Sequence, residues 1–136
     1  MKSGIGLRST GWRGTAAILL GVFTASAMAE KVSPLMAQPM AGLKNKEGLM
    51  LTVEYAPGEA SAKHRHSAHV FVYVLEGSIV MQVQGKPQVT LTPGQTFYET
   101  TKDIHAVSKN ASATQPAKIL VFMVKDKGLA PVLPAK

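Results

Sequence analysis

The 136-residue chain contains no cysteine. Disulfide frameworks, thiolate zinc sites and cysteine nucleophiles are therefore excluded. A domain of this size must then be held by its apolar core, helped at most by a metal or a partner subunit. Beyond residue 29 no run is long and apolar enough to cross a bilayer, and no stretch keeps a helical hydrophobic period. Nothing repeats at the length of a solenoid unit. Basic residues outnumber acidic ones by 15 to 8, yet they neither cluster nor interleave with aromatics as a nucleic-acid surface would. The lysines read as solvated surface, and nucleic acid is not an expected partner.

The first segment that is informative by its presence is the N-terminus. Lys2, Arg8 and Arg13 precede an apolar stretch from Ala16 to Phe23, and Ala27-Met28-Ala29 follows as a small-x-small site. This grammar predicts a secretory signal over 1–29, cleaved after Ala29, and a periplasmic or secreted product with no membrane partner after cleavage. Without the leader, 12 basic residues face 8 acidic ones, so much of the formal +7 belongs to the signal.

The remainder divides into an arm (30–45), a β-domain (46–126) and a tail (127–136). The arm carries Pro34 and Pro39, lacks periodicity and is expected to be mobile. Met36 and Met40 read as hydrophobes of a docking arm rather than as copper ligands. Alternation of apolar and polar residues predicts a strand from Leu49 to Tyr55. Val70 to Leu75 is apolar throughout and predicts a strand covered on both faces. Further short strands are expected over 78–84, 89–91, 96–99, 105–109 and 117–125, separated by Gly- and Pro-containing turns. Pro131 and Pro134 prevent the tail from extending a central strand. The class is all-β.

His64 and His66 flank Arg65. Residues two apart on a strand share a face, so both imidazoles point one way and Arg65 points the other. His105, on a later strand, can join them if the sheet curls. Three convergent imidazoles suit a single divalent ion, and imidazole alone does not choose among Zn, Cu, Fe and Ni.

His64-Arg65-His66, then Tyr73-Val74-Leu75-Glu76-Gly77, then Pro93-Gly94 and His105 with Asn110 behind it, resembles the two-motif signature of the cupins. The resemblance runs from Leu49 to Lys125. It implies a small jelly-roll (double-stranded β-helix) cupin barrel holding one divalent metal, whether Fe, Mn, Zn, Ni or Cu. It also implies a small-molecule ligand, dioxygenase or isomerase chemistry, and a homodimer. The pattern places a metal-binding glutamate where this chain has Val70. His69 is the nearest substitute, but on a regular strand it faces away from Val70 and reaches the metal only through a bulge. Glu99 is the other candidate, with a purely structural role in the Thr100–Asp103 turn as its alternative. Thr100 and Lys102 stand where proline and glycine are usual, and Asn110 lies one residue further from His105 than the pattern expects.

Val72, Val74, Ile79, Met81, Val83 and Val121 are expected to line the barrel and to suit an aromatic or short aliphatic ligand. Phe71, Phe97, Phe122, Tyr73 and Tyr98 read as packing or dimer-contact residues. A non-catalytic periplasmic module that binds a small molecule or a metal is the alternative function. A barrel that presents a sheet face to another chain is a third, favoured if one face of the 70–75 strand is exposed.

Overall fold

A computed structural model describes residues 30–135, so the expected leader lies outside the described residues. Its strands are β1 (Lys31–Pro39), β2 (Lys46–Tyr55), β3 (His64–Arg65), β4 (Ala68–Glu76), β5 (Ile79–Val83), β6 (Val89–Leu91), β7 (Thr96–Glu99), β8 (Ile104–Asn110), β9 (Ala117–Asp126) and β10 (Leu133–Pro134). They form two five-stranded antiparallel sheets, ordered β1-β2-β9-β4-β7 and β10-β3-β8-β5-β6. Neighbours distant in sequence, such as β2 with β9, are the crossovers of a jelly roll.

Period-two alternation builds the core. Strand β9 buries Ala117, Ile119, Val121, Met123 and Lys125, while the residues between them are half-buried. Leu49, Leu51, Val53 and Tyr55 of β2 face the same interior, as do Val70, Val72 and Val74 of β4. Each such aliphatic side chain contributes roughly 1.5–3 kcal/mol of burial. Lys125 points inward near the end of its strand, where the Glu47 carboxylate and the Leu129 carbonyl accept its ammonium protons. That hydrogen bond, assisted by the charge of Lys125, holds the Glu47 carboxyl below its ordinary value.

Two segments differ from the sequence expectations, and the tail adds an edge strand to them. The 30–45 arm is not a loose lead: β1 pairs with β2 along the edge of a sheet, bulging at Leu35. An edge strand tolerates Pro34 and Pro39 because one side of its backbone needs no partner. Met36 lies exposed there and fills no gap. The tail forms β10, a two-residue edge strand against β3. Finally, β4 is covered on one face only. Phe71, Tyr73 and Leu75 lie exposed while Val70, Val72 and Val74 are buried.

Gly77 closes the turn after β4 with φ +68°, and a Cβ there would stand 2.4 Å from the Pro116 carbonyl oxygen and 2.8 Å from Ala117 Cα. Gly85 also has positive φ, but a Cβ there meets open space. Gly85→Ala should therefore cost only the left-handed penalty, about 1–2 kcal/mol. Gly77→Ala must also displace backbone and should cost ~3 kcal/mol or more. Urea denaturation of both variants against the parent checks the ranking.

Candidate metal centre

Strand pairing assembles the site. His64 on β3 stands directly across from His105 on β8. His66 follows two residues after His64 and returns to the same face. A ligand atom from each of the three lies within 4.8 Å of the others. Ligands on one ion with bonds of about 2.1 Å are separated by roughly 3 to 4.2 Å, so the imidazoles need only a small contraction to share a metal.

Two backbone carbonyls orient the rings. His64 Nδ1 is 2.7 Å from the Ala62 carbonyl oxygen and His66 Nδ1 is 2.6 Å from that of Pro131. A carbonyl only accepts, so each Nδ1 carries the proton and each Nε2 keeps its lone pair. Phe97 lies against His105 with ring centroids 5.9 Å apart at 26°.

Glu99, 1% exposed, lies beside the group. Its Oε1 is 3.0 Å from His105 Nδ1 and its Oε2 is 3.9 Å from His66 Nε2. Neither contact has the geometry of a hydrogen bond, and both carboxylate oxygens, with His105 Nε2, are buried polar atoms without a partner among the described residues. An unpartnered buried carboxylate is costly unless a cation meets it. A divalent ion among these donors would satisfy all of them, so the residues present fit a metal.

The register of β4 and β7 accounts for the departure at position 70. Val70 pairs directly with Glu99. Directly paired residues carry Cβ atoms only about 4.5–5.5 Å apart on one face of the sheet. A carboxylate thus stands on the adjoining strand, one strand spacing from where the cupin pattern puts one. His69 is not brought to the group. It lies exposed, stacked on Tyr98, with its Nδ1 2.6 Å from the tyrosine oxygen. Arg65 is exposed.

The imidazoles and Glu99 open into a cavity of about 510 Å³, counting the space at its mouth. Of the side chains expected to line the barrel, Val72 and Val121 do so, whereas Val74, Ile79, Met81 and Val83 pack in the core away from it. Several lining residues had no signal in the sequence. Val32 comes from the presumed arm, Pro131 and Val132 from the tail, and Ser108 from three residues beyond His105. Ser108 shares the face of His105 because the β5–β8 register skips Ala106, which shifts strand parity by one.

A family model described as "Cupin domain" matches residues 51–123, more than half of the chain. The chain belongs to the cupin family. Solved structures agree on the fold. The DMSP lyase DddQ from Ruegeria pomeroyi DSS-3 superposes with a TM-score of 0.62 at 22% identity, over 76% of this cupin and 51% of the lyase. An oxalate oxidase in complex with the substrate analogue glycolate gives 0.56 at 20% identity, over 69% and 50% of the two chains. A Klebsiella pneumoniae protein with a double-stranded β-helix domain gives 0.54 at 18% identity, over 76% and 86%. This cupin thus spans about half the length of the lyase and the oxidase. No curated protein matches it in sequence.

Burial holds the His66 pKa below its ordinary value, against the opposing pull of its Pro131 hydrogen bond and of Glu99. In the unfolded chain the same imidazole takes a proton near about pH 6.5. Above that pH both states are neutral at this residue. As pH falls below it the unfolded state binds the proton first, so the metal-free fold loses stability until the folded-state pKa is passed. Urea titrations of metal-free protein from roughly pH 7.5 to 5 across that reference value should show this loss, and His66→Gln should reduce it.

Proposed function

We propose that this chain is an exported cupin that holds one divalent metal through His64, His66, His105 and Glu99. It uses the remaining coordination positions on a small molecule in the adjoining cavity, as a dioxygenase or isomerase. The observation that carries the reading is the Glu99 carboxylate, fully buried, unpartnered and set between two imidazoles. A bound metal would supply Lewis acidity, or redox chemistry if it is iron, manganese or copper. The protein supplies neutral donors of fixed tautomer and a wall of Leu51, Val53, Val70, Val72 and Val121 that shields the site from water. That a lyase and an oxidase share the fold supports an enzyme rather than a store for the ion. Tight metal retention with no turnover across catechols, flavonols and diketones, read by O₂ uptake and product analysis, would instead make the chain a binding module.

The ligand set has its own test. Metal content of the purified protein, with competition titration, should show retention abolished in His64→Ala/His66→Ala. Glu99→Gln should weaken it by about 10- to 100-fold, and His69→Asn should leave it unchanged. Since Val70 and Glu99 are cross-strand partners, the exchange Val70→Glu/Glu99→Val should recover much of what Glu99→Gln loses.

The proposal includes a homodimer. Phe71, Tyr73 and Tyr98 are 47%, 44% and 46% exposed on the outer face of β4 and β7, and Phe71 lies 5.1 Å from Tyr98 and 6.2 Å from Phe122 between ring centroids. At ~200 Å² per aromatic side chain, these three leave roughly 300 Å² of mostly apolar surface, the size of a functional patch. It suits the centre of an interface of about 800 Å² per subunit. A second copy offers the same uncharged cluster, and a two-fold axis through the patch closes the assembly. Sedimentation velocity should find a dimer, converted to monomer by Phe71→Glu/Tyr73→Glu.

A further inference from the structure

Besides the imidazoles and Glu99, the cavity carries a second polar group, a hydrogen-bonded chain of four residues from four segments. Tyr55 ends β2, Ser61 lies in the loop after it, Ser108 is on β8 and Glu30 precedes β1. The tyrosine oxygen is 2.9 Å from Ser61 Oγ and 2.8 Å from Ser108 Oγ, and Ser61 Oγ donates to the Glu30 carboxylate. Glu30, Tyr55 and Ser108 all line the cavity.

The carboxylate sets the direction of this chain. Each hydroxyl has one proton to give. Ser61 gives its proton to Glu30, so it must accept the proton of Tyr55. Tyr55 in turn accepts the proton of Ser108. Burial raises the Tyr55 pKa, which keeps the phenol protonated and able to donate. Ser108, 4% exposed, is left at the cavity wall with lone pairs and no proton to offer. Its hydroxyl is an acceptor that accepts from no group among the described residues. Lining side chains include no lysine or arginine, so the cavity's charged side chains besides the imidazoles are the two carboxylates, Glu30 and Glu99.

We propose that Ser108 is a second anchor that selects ligands ending in a hydrogen-bond donor, a hydroxyl or an ammonium. The inference rests on the metal reading, because the ion fixes the ligand's other end. His105 and Ser108 stand across from Val83 and Met81, two residues apart on β5, so the bulge leaves them about 7 Å apart along the strand. Subtracting a metal–ligand bond and a hydrogen bond leaves room for a chain of roughly three or four atoms. The preferred ligand is therefore a small molecule with a metal-binding atom, a short apolar spacer and a terminal donor. An anionic terminus would meet the lone pairs of the Ser108 hydroxyl.

The test uses the cobalt(II)-loaded protein, whose visible bands report what coordinates the ion. Titrations with 2-aminoethanethiol and propane-1-thiol compare a donor terminus with an apolar one of equal length, and azide, which reaches only the metal, is the reference in every variant. The aminothiol-to-propanethiol affinity ratio should fall about tenfold in Ser108→Ala, the size of one hydrogen bond to a charged donor. In Glu30→Gln, at a half-exposed position where folding is not at issue, it should fall by less. The same ratio in the parent and both variants overturns this inference and leaves the metal reading standing. A protein that takes up no cobalt overturns both.

Discussion

A carboxylate with no hydrogen-bond donor inside an apolar jelly roll is the constraint on which the rest of this molecule turns. Removing such a group from water costs several kcal/mol unless opposite charge meets it. Among the described residues no cationic side chain other than histidine lines the Glu99 cavity. The imidazoles around it are the softest available answer, since each can accept a proton or share an ion. Their backbone partners favour the second: the Ala62 and Pro131 carbonyls hold the protons on Nδ1 and leave two Nε2 lone pairs free. Loading such a site releases stored electrostatic cost, so metal affinity and fold stability draw on one free energy.

The lower-level features of this arrangement were legible in the sequence, and the reason is strand parity. Alternation, one continuous apolar run and the turn residues between them located the seven strands β2 and β4 through β9, and the two-residue period put His64 with His66 and turned Arg65 and His69 away. Parity also fails where the ladder is irregular. Ala106 is skipped in the β5–β8 register, so Ser108 joins His105 on the inner face although an odd spacing argues the reverse. Bulges at Leu35 and Leu75 are equally silent. Partners far along the chain could not be read at all. The carbonyl that fixes His66 comes from Pro131, 65 residues on, and the prolines of 30–45 and 127–136 spoke against central strands without saying which sheet edges those segments would occupy. Glu99 lies between these cases. Its residue type and parity were visible, but its compensation for Val70 depends on a pairing only the folded sheet defines.

Strand β4 also explains why an all-apolar run was misleading. Continuous hydrophobicity ordinarily marks a strand with protein on both sides. In β4 the even-numbered Val70 and Val72 wall the cavity, Val74 packs in the core beside it, and the odd-numbered Phe71, Tyr73 and Leu75 form an outer face with Tyr98 and Phe122. Both faces are apolar for different reasons, one because it walls the cavity beside the imidazoles and the other because it is a surface suited to cover.

The two faces are separated by a single thickness of backbone, and that thickness is shared by the pair that carries Val70 and Glu99. Phe71 stands across from Tyr98 in the same register that sets Val70 across from Glu99. Any contact that holds the outer aromatics in place therefore holds the inner pair at its cross-strand spacing, without touching the cavity. β7 is only four residues long and lies at the edge of its sheet. Along its ladder it leans on one neighbour alone, so Glu99 is carried by one of the least supported strands of the barrel. Packing against the outer face is the one route by which β7 can be stiffened without placing another side chain in the space a ligand would need.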